Sequence, residues 1–393
     1  MRFSTRYTIV ILTFISTTVF YIERVGFSIA YTSAADAAGV NQSNKGIVLT
    51  TFYCGYACSQ IPGGWLAQRI GGRRVLLVSF MLWSSICFLV PLEANPTTIL
   101  VISRILVGVV QGFIFPSIHN VLAQWVPPQE RSRSVSLTTS GMYLGAAIAT
   151  LILPSLVKYK GPQHAFLAEA ALGAIWSLLW FIYGTDPPRL EHPRATAAGS
   201  GDSFLPIKEN EGGSFKDCYN PLEETFYMGS SKMMPYLNMF IFSNIGGVIA
   251  DHLISKRVLS VTKTRKFLNT FGFIVASLAL IGLPFFTTSG GAVFCSALSL
   301  GFLALGRAGF AVNHMDIAPR YAGIVMGISN TAGTLAGVIG VAFTGKLLEA
   351  AKAAHMELSN PESWTAVFLI PGLLCIVSSI LFLLFSTGER IFD

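Results

Sequence analysis

Residues 46–74 read GIVLTTFYCGYACSQIPGGWLAQRIGGRR, a long apolar stretch that ends in a tight basic loop. The apolar part is long enough to cross a bilayer as a helix, because about 20 residues at a rise of about 1.5 Å each span roughly 30 Å of hydrocarbon. Lys and Arg collect in the loops that face the cytoplasm. The stretch therefore predicts a transmembrane helix whose carboxyl end faces the cytoplasm.

Eleven such stretches lie along the chain, six before a polar segment at 185–233 and five after it. The chain is 52% hydrophobic and 12% charged, with a mean hydropathy of +0.59, whereas a soluble globular protein carries about twice this charge fraction. We therefore predict an all-α polytopic membrane protein, with an N-terminal six-helix bundle at 1–184, a cytoplasmic linker at 185–233 and a C-terminal five-helix bundle at 234–393. The predicted spans are 8–31, 46–68, 75–92, 98–123, 134–157, 164–184, 235–254, 267–287, 292–312, 322–345 and 364–386.

The net charge of +7 comes from short basic clusters at the ends of the spans. Orientation in a lipid bilayer explains these clusters better than nucleic-acid binding does. The first apolar run is too long for a signal-peptide core and contains Glu23 and Arg24, so we predict no cleaved signal and a cytosolic N-terminus. Cys54 and Cys58, one helical turn apart, favour packing over metal binding.

The sequence shows no enzyme motif. A P-loop, an HExxH motif and a GxSxG motif are all absent, and no pair of carboxylates inside the membrane is evident. These features predict transport driven by a gradient rather than ATP-driven pumping or catalysis. No cofactor is expected, beyond a co-transported H⁺ or Na⁺.

The number of spans conflicts with the flanking charges. The densest basic loop, 256–266, lies only one span after the linker at 185–233, although both should face the cytoplasm. A repeat locates the gap, since GGWLAQ at 63–68 closes the second span and GGVIAD at 246–251 closes the span at 235–254. The repeat leaves the first span without a partner in the second half. Two repeated halves are typical of secondary transporters, so we predict eleven transmembrane helices instead of twelve.

Two arginines interrupt the apolar spans at similar depth. Arg24 lies roughly 10 Å below the end of the first span, and Arg104 lies roughly 9 Å below the start of the fourth span, on the same side. Two fixed cations at one level predict an anion site, because Arg forms paired hydrogen bonds with phosphate or carboxylate. The alternatives are structural pairing, for which Glu23 is a partner, and a side chain that reaches the nearby interface.

Gln111 and His119 follow Arg104 on the fourth span. Gln111 lies two helical turns on, nearly on the same face, so we predict that it also contacts the substrate. His119 could relay protons near neutral pH, or it could equally be a hydrogen-bonded structural group. The residues that we assign to coupling or gating are Glu23, Arg73, His119 and Asp251.

The second half offers further polar groups to the same cavity. Arg307 lies within the span at 292–312 and is a third predicted substrate contact, although pairing with Asp316 is an equal alternative. Asn330, in the Gly-rich span at 322–345, offers hydrogen bonds either to a substrate or between helices.

Motifs with a recognisable pattern extend over nearly the whole chain. They are GWLAQRIGGRR at 64–74, RILVGVVQG at 104–112, WVPPQERSR at 125–133, NHMDIAPRYAG at 313–323 and ISNTAG at 328–333. They resemble the major facilitator superfamily, and within it the branch that holds sialin-like, vesicular glutamate and plant type-4 phosphate transporters. YIERVGFSIA at 21–30 and FSTGERIFD at 385–393 are most similar to the Golgi-type plant anion transporters.

This resemblance implies symport or gradient-linked movement of inorganic phosphate, or of a related small organic anion, across an endomembrane such as the Golgi membrane. By position, Arg24 and Arg104 look like the family's anion-binding arginines, and His119 looks like its fourth-span histidine. Two departures stand out: Gln68 and Gln111 replace residues that are commonly acidic in the family. The alternatives are a glutamate-like or sialic-acid-like substrate, and a transport-incompetent splice or gene-model form that lacks the seventh span.

Overall fold

The computed structural model describes residues 5–89, 97–186, 221–286, 288–353 and 364–392. Regular structure in these ranges is helical, and it includes two single 3₁₀ turns at Pro128–Glu130 and Leu283–Phe285. The α-helices are α1 (Thr5–Ala37), α2 (Gln42–Ile70), α3 (Gly72–Leu89), α4 (Thr97–Gly112), α5 (Ile114–Trp125), α6 (Arg131–Lys160), α7 (Pro162–Tyr183), α8 (Pro221–Ser255), α9 (Val261–Gly282), α10 (Ser289–Ile317), α11 (Ala322–Ala353) and α12 (Thr365–Phe385).

Ten stretches of the described chain are long and apolar enough to cross a membrane. They match the predicted spans with the exception of α2, which is 29 residues long but is less apolar because Gln, Ser and Lys are mixed into its sequence. The prediction of an all-α membrane protein is therefore confirmed.

The fourth predicted span is two helices rather than one. It breaks at Phe113, which separates α4 from α5. The cause is Pro116, because proline has no amide hydrogen to donate to the carbonyl of Gly112, and its ring also clashes with that carbonyl. The break lies about one and a half turns before His119.

Helix α8 begins earlier than the sequence analysis predicts. It starts at Pro221, so the last part of the predicted linker at 185–233 is helical. The earlier part, 187–220, lies outside the described residues.

The helices form two bundles that meet along two seams. Helices α1–α7 form the first half and α8–α12 the second, with α6 packed against α8 and α2 packed against α11. This pairing agrees with the predicted correspondence between α2 and α8, because each of them crosses the seam to the fifth-span helix of the other half, α11 and α6 respectively.

Small residues allow the two halves to approach closely. Cβ atoms added to Gly64 and Gly327 would lie 2.6 Å from the carbonyl oxygens of Gly323 and Gln60, closer than side chains are ever found. The hydrogen bonds that join the described parts of the two halves all lie between the basic loops and the middle of the bundle. Hydrogen bonds between described residues therefore close the seam at the end that carries the basic loops 69–74 and 256–266, called here the basic-loop end. None of them joins the halves at the other end, called here the open end.

Helices α7 and α8 end on the same face of the bundle. The end of α7 contacts the first turn of α3, beside the loop after α2, since Trp180 Nε1 donates to the Arg73 carbonyl at 3.0 Å. The end of α8 contacts the start of α6, where Asp251 accepts the Ser132 amide at 3.0 Å. Both of these loops belong to the basic-loop end, so α8 begins at the opposite end from the one at which α7 finishes.

Among the described residues, the second half shows no counterpart of the packing layer that α1 forms in the first half. In the first half, α1 packs against both α6 and α7. The counterparts of α6 and α7 in the second half are α11 and α12, and these two helices barely contact each other. In the most apolar 18-residue window of each helix, 67% of the residues are buried in α1, but only 11% are buried in α11 and 11% in α12. Gly145 of α6 packs against Thr18 of α1, whereas a Cβ on Gly333 or Gly337 of α11 would meet open space among the described residues.

Candidate functional site

Arg24 lies at the floor of the open end, inside a collar of aromatic rings. Its ζ carbon is 4.5 Å from the ring centroid of Tyr56, 4.8 Å from that of Phe52 and 5.1 Å from that of Tyr53. Ring faces attract a guanidinium without neutralising its charge. No ion pair among the described residues includes Arg24, and its side chain is only partly buried. Arg24 is therefore a positive charge accessible to an anion.

Arg104 lies beside one of these rings, that of Phe52, but unlike Arg24 it has an ionic partner. Its Nη1 donates to Glu23 Oε1 at 2.7 Å, and Gln111 Nε2 donates to Glu23 Oε2 at 2.6 Å. Arg104 is 3% exposed and Glu23 is fully buried, so this is a membrane-embedded ion pair whose carboxylate is satisfied on both oxygens. Glu23 pairs with Arg104 and not with Arg24, because adjacent residues on a helix point to different faces.

A second carboxyl group lies near this ion pair. Glu169 of α7 is 1% exposed, and neither of its oxygens has a hydrogen-bond partner among the described residues. It contacts Gly26, on the same face of α1 as Glu23. The expectation that no carboxylate pair lies inside the membrane is therefore wrong, since Glu23 and Glu169 form one through the packing of α1 against α7.

Arg307 of α10 resembles Arg24 in being an arginine within a span that has no ionic partner among the described residues. Its ζ carbon lies 6.0 Å from the ring centroid of Tyr143. Tyr143 in turn lies within electrostatic range of Tyr21, whose ring centroid is 5.4 Å from the ζ carbon of Arg24. The alternative that Arg307 pairs with Asp316 is not observed. No ion pair of the described residues includes Arg307. Among the described residues, Arg24 of the first half and Arg307 of the second half thus have no ionic partner.

His119 faces a second histidine across the seam. The ring centroids of His119 and His314 are 6.4 Å apart. The Nδ1 of His119 lies 3.1 Å from the carbonyl of Phe115, while His119 Nε2 and His314 Nδ1 have no partner among the described residues. The role of His119 in proton transfer stays a prediction.

Asp316 holds the closed end together. Its Oδ1 accepts from Arg131 Nη1 at 3.0 Å, and its Oδ2 accepts from Arg265 Nε at 2.7 Å. Arg131 belongs to the first half, whereas Arg265 and Asp316 belong to the second. This buried cluster must come apart if the basic-loop end is to open.

Asp251 contributes to the same closed end. Its carboxylate accepts the backbone amides of Ser132 and Arg133 at 3.0 and 2.9 Å, an arrangement that suits an anion because the start of a helix is positively polarised. Arg73, by contrast, pairs with Asp186 at 3.1 Å inside the first half. The structure therefore brings Asp251 to the seam but not Arg73.

Asn330 joins the seam to the Arg24 collar. Its Nδ2 donates to the Tyr56 hydroxyl at 3.0 Å and to Gln60 Oε1 at 2.5 Å. Both acceptors lie on α2, so Asn330 links the halves. Tyr56, whose ring centroid lies 4.5 Å from the ζ carbon of Arg24, therefore connects the cation to the seam.

Sequence reasoning missed Glu169 and Tyr56, and it named Asp316 only as a possible partner of Arg307. Glu169 carries a signal that could have found it, because an ionisable residue inside an apolar span is a functional-site hypothesis by default. Tyr56 and Asp316 carry no such signal, since their roles depend on how α2 and α10 pack against other helices.

A family model described as Major Facilitator Superfamily matches residues 9–341. Probable anion transporter 5 of Arabidopsis thaliana is 64% identical over 99% of this chain and 98% of its own length. Probable anion transporter 6 of Oryza sativa subsp. japonica is 60% identical over 428 aligned positions, covering all of both chains. The Arabidopsis thaliana Sodium-dependent phosphate transport protein 1, chloroplastic, is 35% identical over all of this chain and 81% of its own. Among solved structures, the proton:xylose symporter XylE matches 99% of this chain and 98% of its own, with a TM-score of 0.65 at 14% identity.

Proposed function

The chain belongs to the Major Facilitator Superfamily, and we propose that it moves inorganic phosphate or a related small anion across an endomembrane by alternating access. An ion gradient drives the movement, and H⁺ and Na⁺ are the ions to test. The chain is not assigned a catalytic role.

One observation carries the choice of an anion. Arg24 is an un-neutralised guanidinium at the floor of the open end, and a charge inside a membrane protein is costly unless it meets water, substrate or a counter-charge. Arg307 offers a second such charge from the other half. Anion binding between two cations from opposite halves would draw the halves together, which is what closure around a substrate requires.

Phosphate is the first substrate to test for two reasons. Guanidinium groups match the geometry of phosphate oxygens, and one relative at 35% identity is named as a phosphate transport protein. A small carboxylate such as glutamate or a sialic acid is the alternative, because the same fork geometry binds carboxylates. Competition against labelled phosphate distinguishes them.

We also infer that this form lacks the seventh of twelve crossings. The alignment with the rice relative has 428 positions for 393 residues of this chain, so about 35 positions of the relative have no counterpart here, enough for one span with a short loop. The end faces of α7 and α8 and the uncovered faces of α11 and α12 support the same inference. Transcript sequence across the codons for Cys218 and Ser230 tests it directly.

Uptake by the purified full chain in liposomes tests the transport proposal. We expect labelled phosphate to enter against an imposed ion gradient, and Arg24→Ala to abolish entry while Lys256→Ala, at an exposed loop position, leaves it unchanged. Uptake no greater than that of empty vesicles would establish the transport-incompetent alternative for this form. Co-localisation of a tagged chain with Golgi markers tests the proposed membrane.

A further inference from the structure

Glu169 is a buried carboxyl group whose oxygens accept no hydrogen bond from the described residues. Its side chain is 1% exposed, and both oxygens lack hydrogen-bond partners among the described residues. An isolated carboxylate in such a site costs several kcal/mol or more. Glu23, which is equally buried, shows the contrast, because each of its oxygens accepts a hydrogen bond. Glu169 therefore holds a proton in this conformation.

The position of Glu169 couples it to the anion site. Gly26 has no side chain, and the space that its Cβ would occupy is taken by Glu169 Oε1 and by Leu153 of α6. The charged and titratable groups that act on Glu169 from neighbouring helices are Glu23 of α1, Arg104 of α4 and Cys87 of α3. Helix α6 contributes the apolar Leu153 to this contact. Glu169 thus belongs to the same electrostatic unit as the Arg104–Glu23 pair.

The charge balance of this unit links proton and anion binding. In the structure Arg104 and Glu23 neutralise each other, and the protonated Glu169 is neutral. An anion that bonds Arg104 weakens the hold of Arg104 on Glu23 and adds negative charge nearby, which makes ionisation of Glu169 still less favourable. A bound anion therefore retains the proton on Glu169, and by reciprocity a bound proton strengthens anion binding.

We propose that Glu169 is the proton-binding site of this transporter and that it loads one proton together with the anion. It lies roughly 10 Å along α7 from the helix start at the open end, so it takes its proton from that side. The O–H bond formed on Glu169 breaks after the halves have closed there and opened at the basic-loop end, where proton and anion leave together. This inference rests on the proposed anion transport.

Proteoliposomes that hold the full chain separate proton coupling from anion binding. Glu169→Gln keeps the shape of the side chain but has no exchangeable acid proton. We expect phosphate uptake driven by a pH gradient to fall about fivefold or more, the lower end of typical coupling strengths, while exchange of internal for external phosphate without a gradient persists. Glu349→Gln, at an exposed position of α11, is the matched control and should change neither rate. Gradient-driven uptake that survives in Glu169→Gln would overturn the proposal.

A second measurement does not depend on transport. The carboxylic-acid C=O stretch of a buried protonated carboxyl is visible by infrared difference spectroscopy, and we expect it in the wild-type chain but not in Glu169→Gln. Glu169→Asp retains an acid and serves if the Gln variant does not fold, with a shifted band expected. If the wild-type chain shows no band, the assignment of the proton to Glu169 is overturned. If the wild-type chain shows the band but does not exchange phosphate, only the proposed function is overturned.

Discussion

Arg24 and Arg104 lie against the same aromatic ring, with their ζ carbons 4.8 and 5.0 Å from the ring centroid of Phe52. Their electrostatic situations differ, because Glu23 neutralises Arg104 while Arg24 has no ionic partner among the described residues. The predicted pair of arginines at similar depth is thus present, but only Arg104 has a counter-charge among the described residues. On the proposed function, we expect Arg24 to meet the anion first and Arg104 to become available only when its bond to Glu23 loosens.

This difference predicts opposite effects of two alanine variants. Arg104→Ala leaves the buried Glu23 without its counter-charge and should destabilise the protein by about 3–5 kcal/mol. Arg24→Ala removes a partly exposed cation that has no ionic partner, so stability should change by about 1 kcal/mol or less while phosphate binding is lost. Thermal unfolding in detergent measures the first effect and equilibrium binding of labelled phosphate the second.

The double variant Glu23→Gln with Arg104→Ala supplies the control for this pair. Removing the carboxylate together with its partner should recover a large part of the stability lost in Arg104→Ala, because the uncompensated charge is gone. Equal destabilisation of the single and double variants would show that Arg104 acts through its packing on Phe27, 3.7 Å from the ring centroid.

Much of this fold follows from the sequence, for physical reasons that particular helices illustrate. The span of α12 is apolar on all sides and can hardly be anything but a membrane helix. The shared level of Arg24 and Arg104 follows from helical rise alone. The break at Phe113 was predictable from Pro116 but was not predicted. The hydrogen bond between Arg131 and Asp316 could not be predicted from the sequence. It joins residues 185 positions apart through the packing of two separate bundles.

The closed end should open when Asp316 loses its charge. Asp316→Ala leaves Arg131 and Arg265 without their shared carboxylate, which favours the conformation in which the two halves separate there. A cysteine placed at Ser136, which is 3% exposed and lies under Gly247 of α8, should then react faster with a water-soluble maleimide. Asp186→Asn, which breaks an exposed ion pair inside the first half, should leave the rate unchanged. An equal rate in Asp316→Ala and the wild type would show that this cluster does not hold the gate.

Two glycines in corresponding helices should respond differently to the same substitution. A side chain on Gly145 would collide with the backbone of Thr18 in α1, whereas one on Gly337 meets no described atom within 4 Å. Gly145→Leu should cost about 3 kcal/mol or more through overpacking, and Gly337→Leu should stay within about 0.5 kcal/mol. Thermal unfolding and the yield of monodisperse protein measure both. Comparable damage from Gly337→Leu would mean that another helix covers this face of α11, contrary to the inferred absence of the seventh crossing.

The odd number of crossings predicts a specific pattern of side-selective labelling. Because α7 and α8 end on the same face, cysteines placed singly at Asp186 and at Lys256 of a cysteine-free chain should react with an impermeant reagent from the same side of sealed vesicles. A cysteine at Lys160, at the far end of α6, should react from the other side and serves as the control. Labelling of positions 186 and 256 from opposite sides would mean that the second half inserts inverted. Labelling of both positions from one side supports the inference that this form lacks one crossing between α7 and α8.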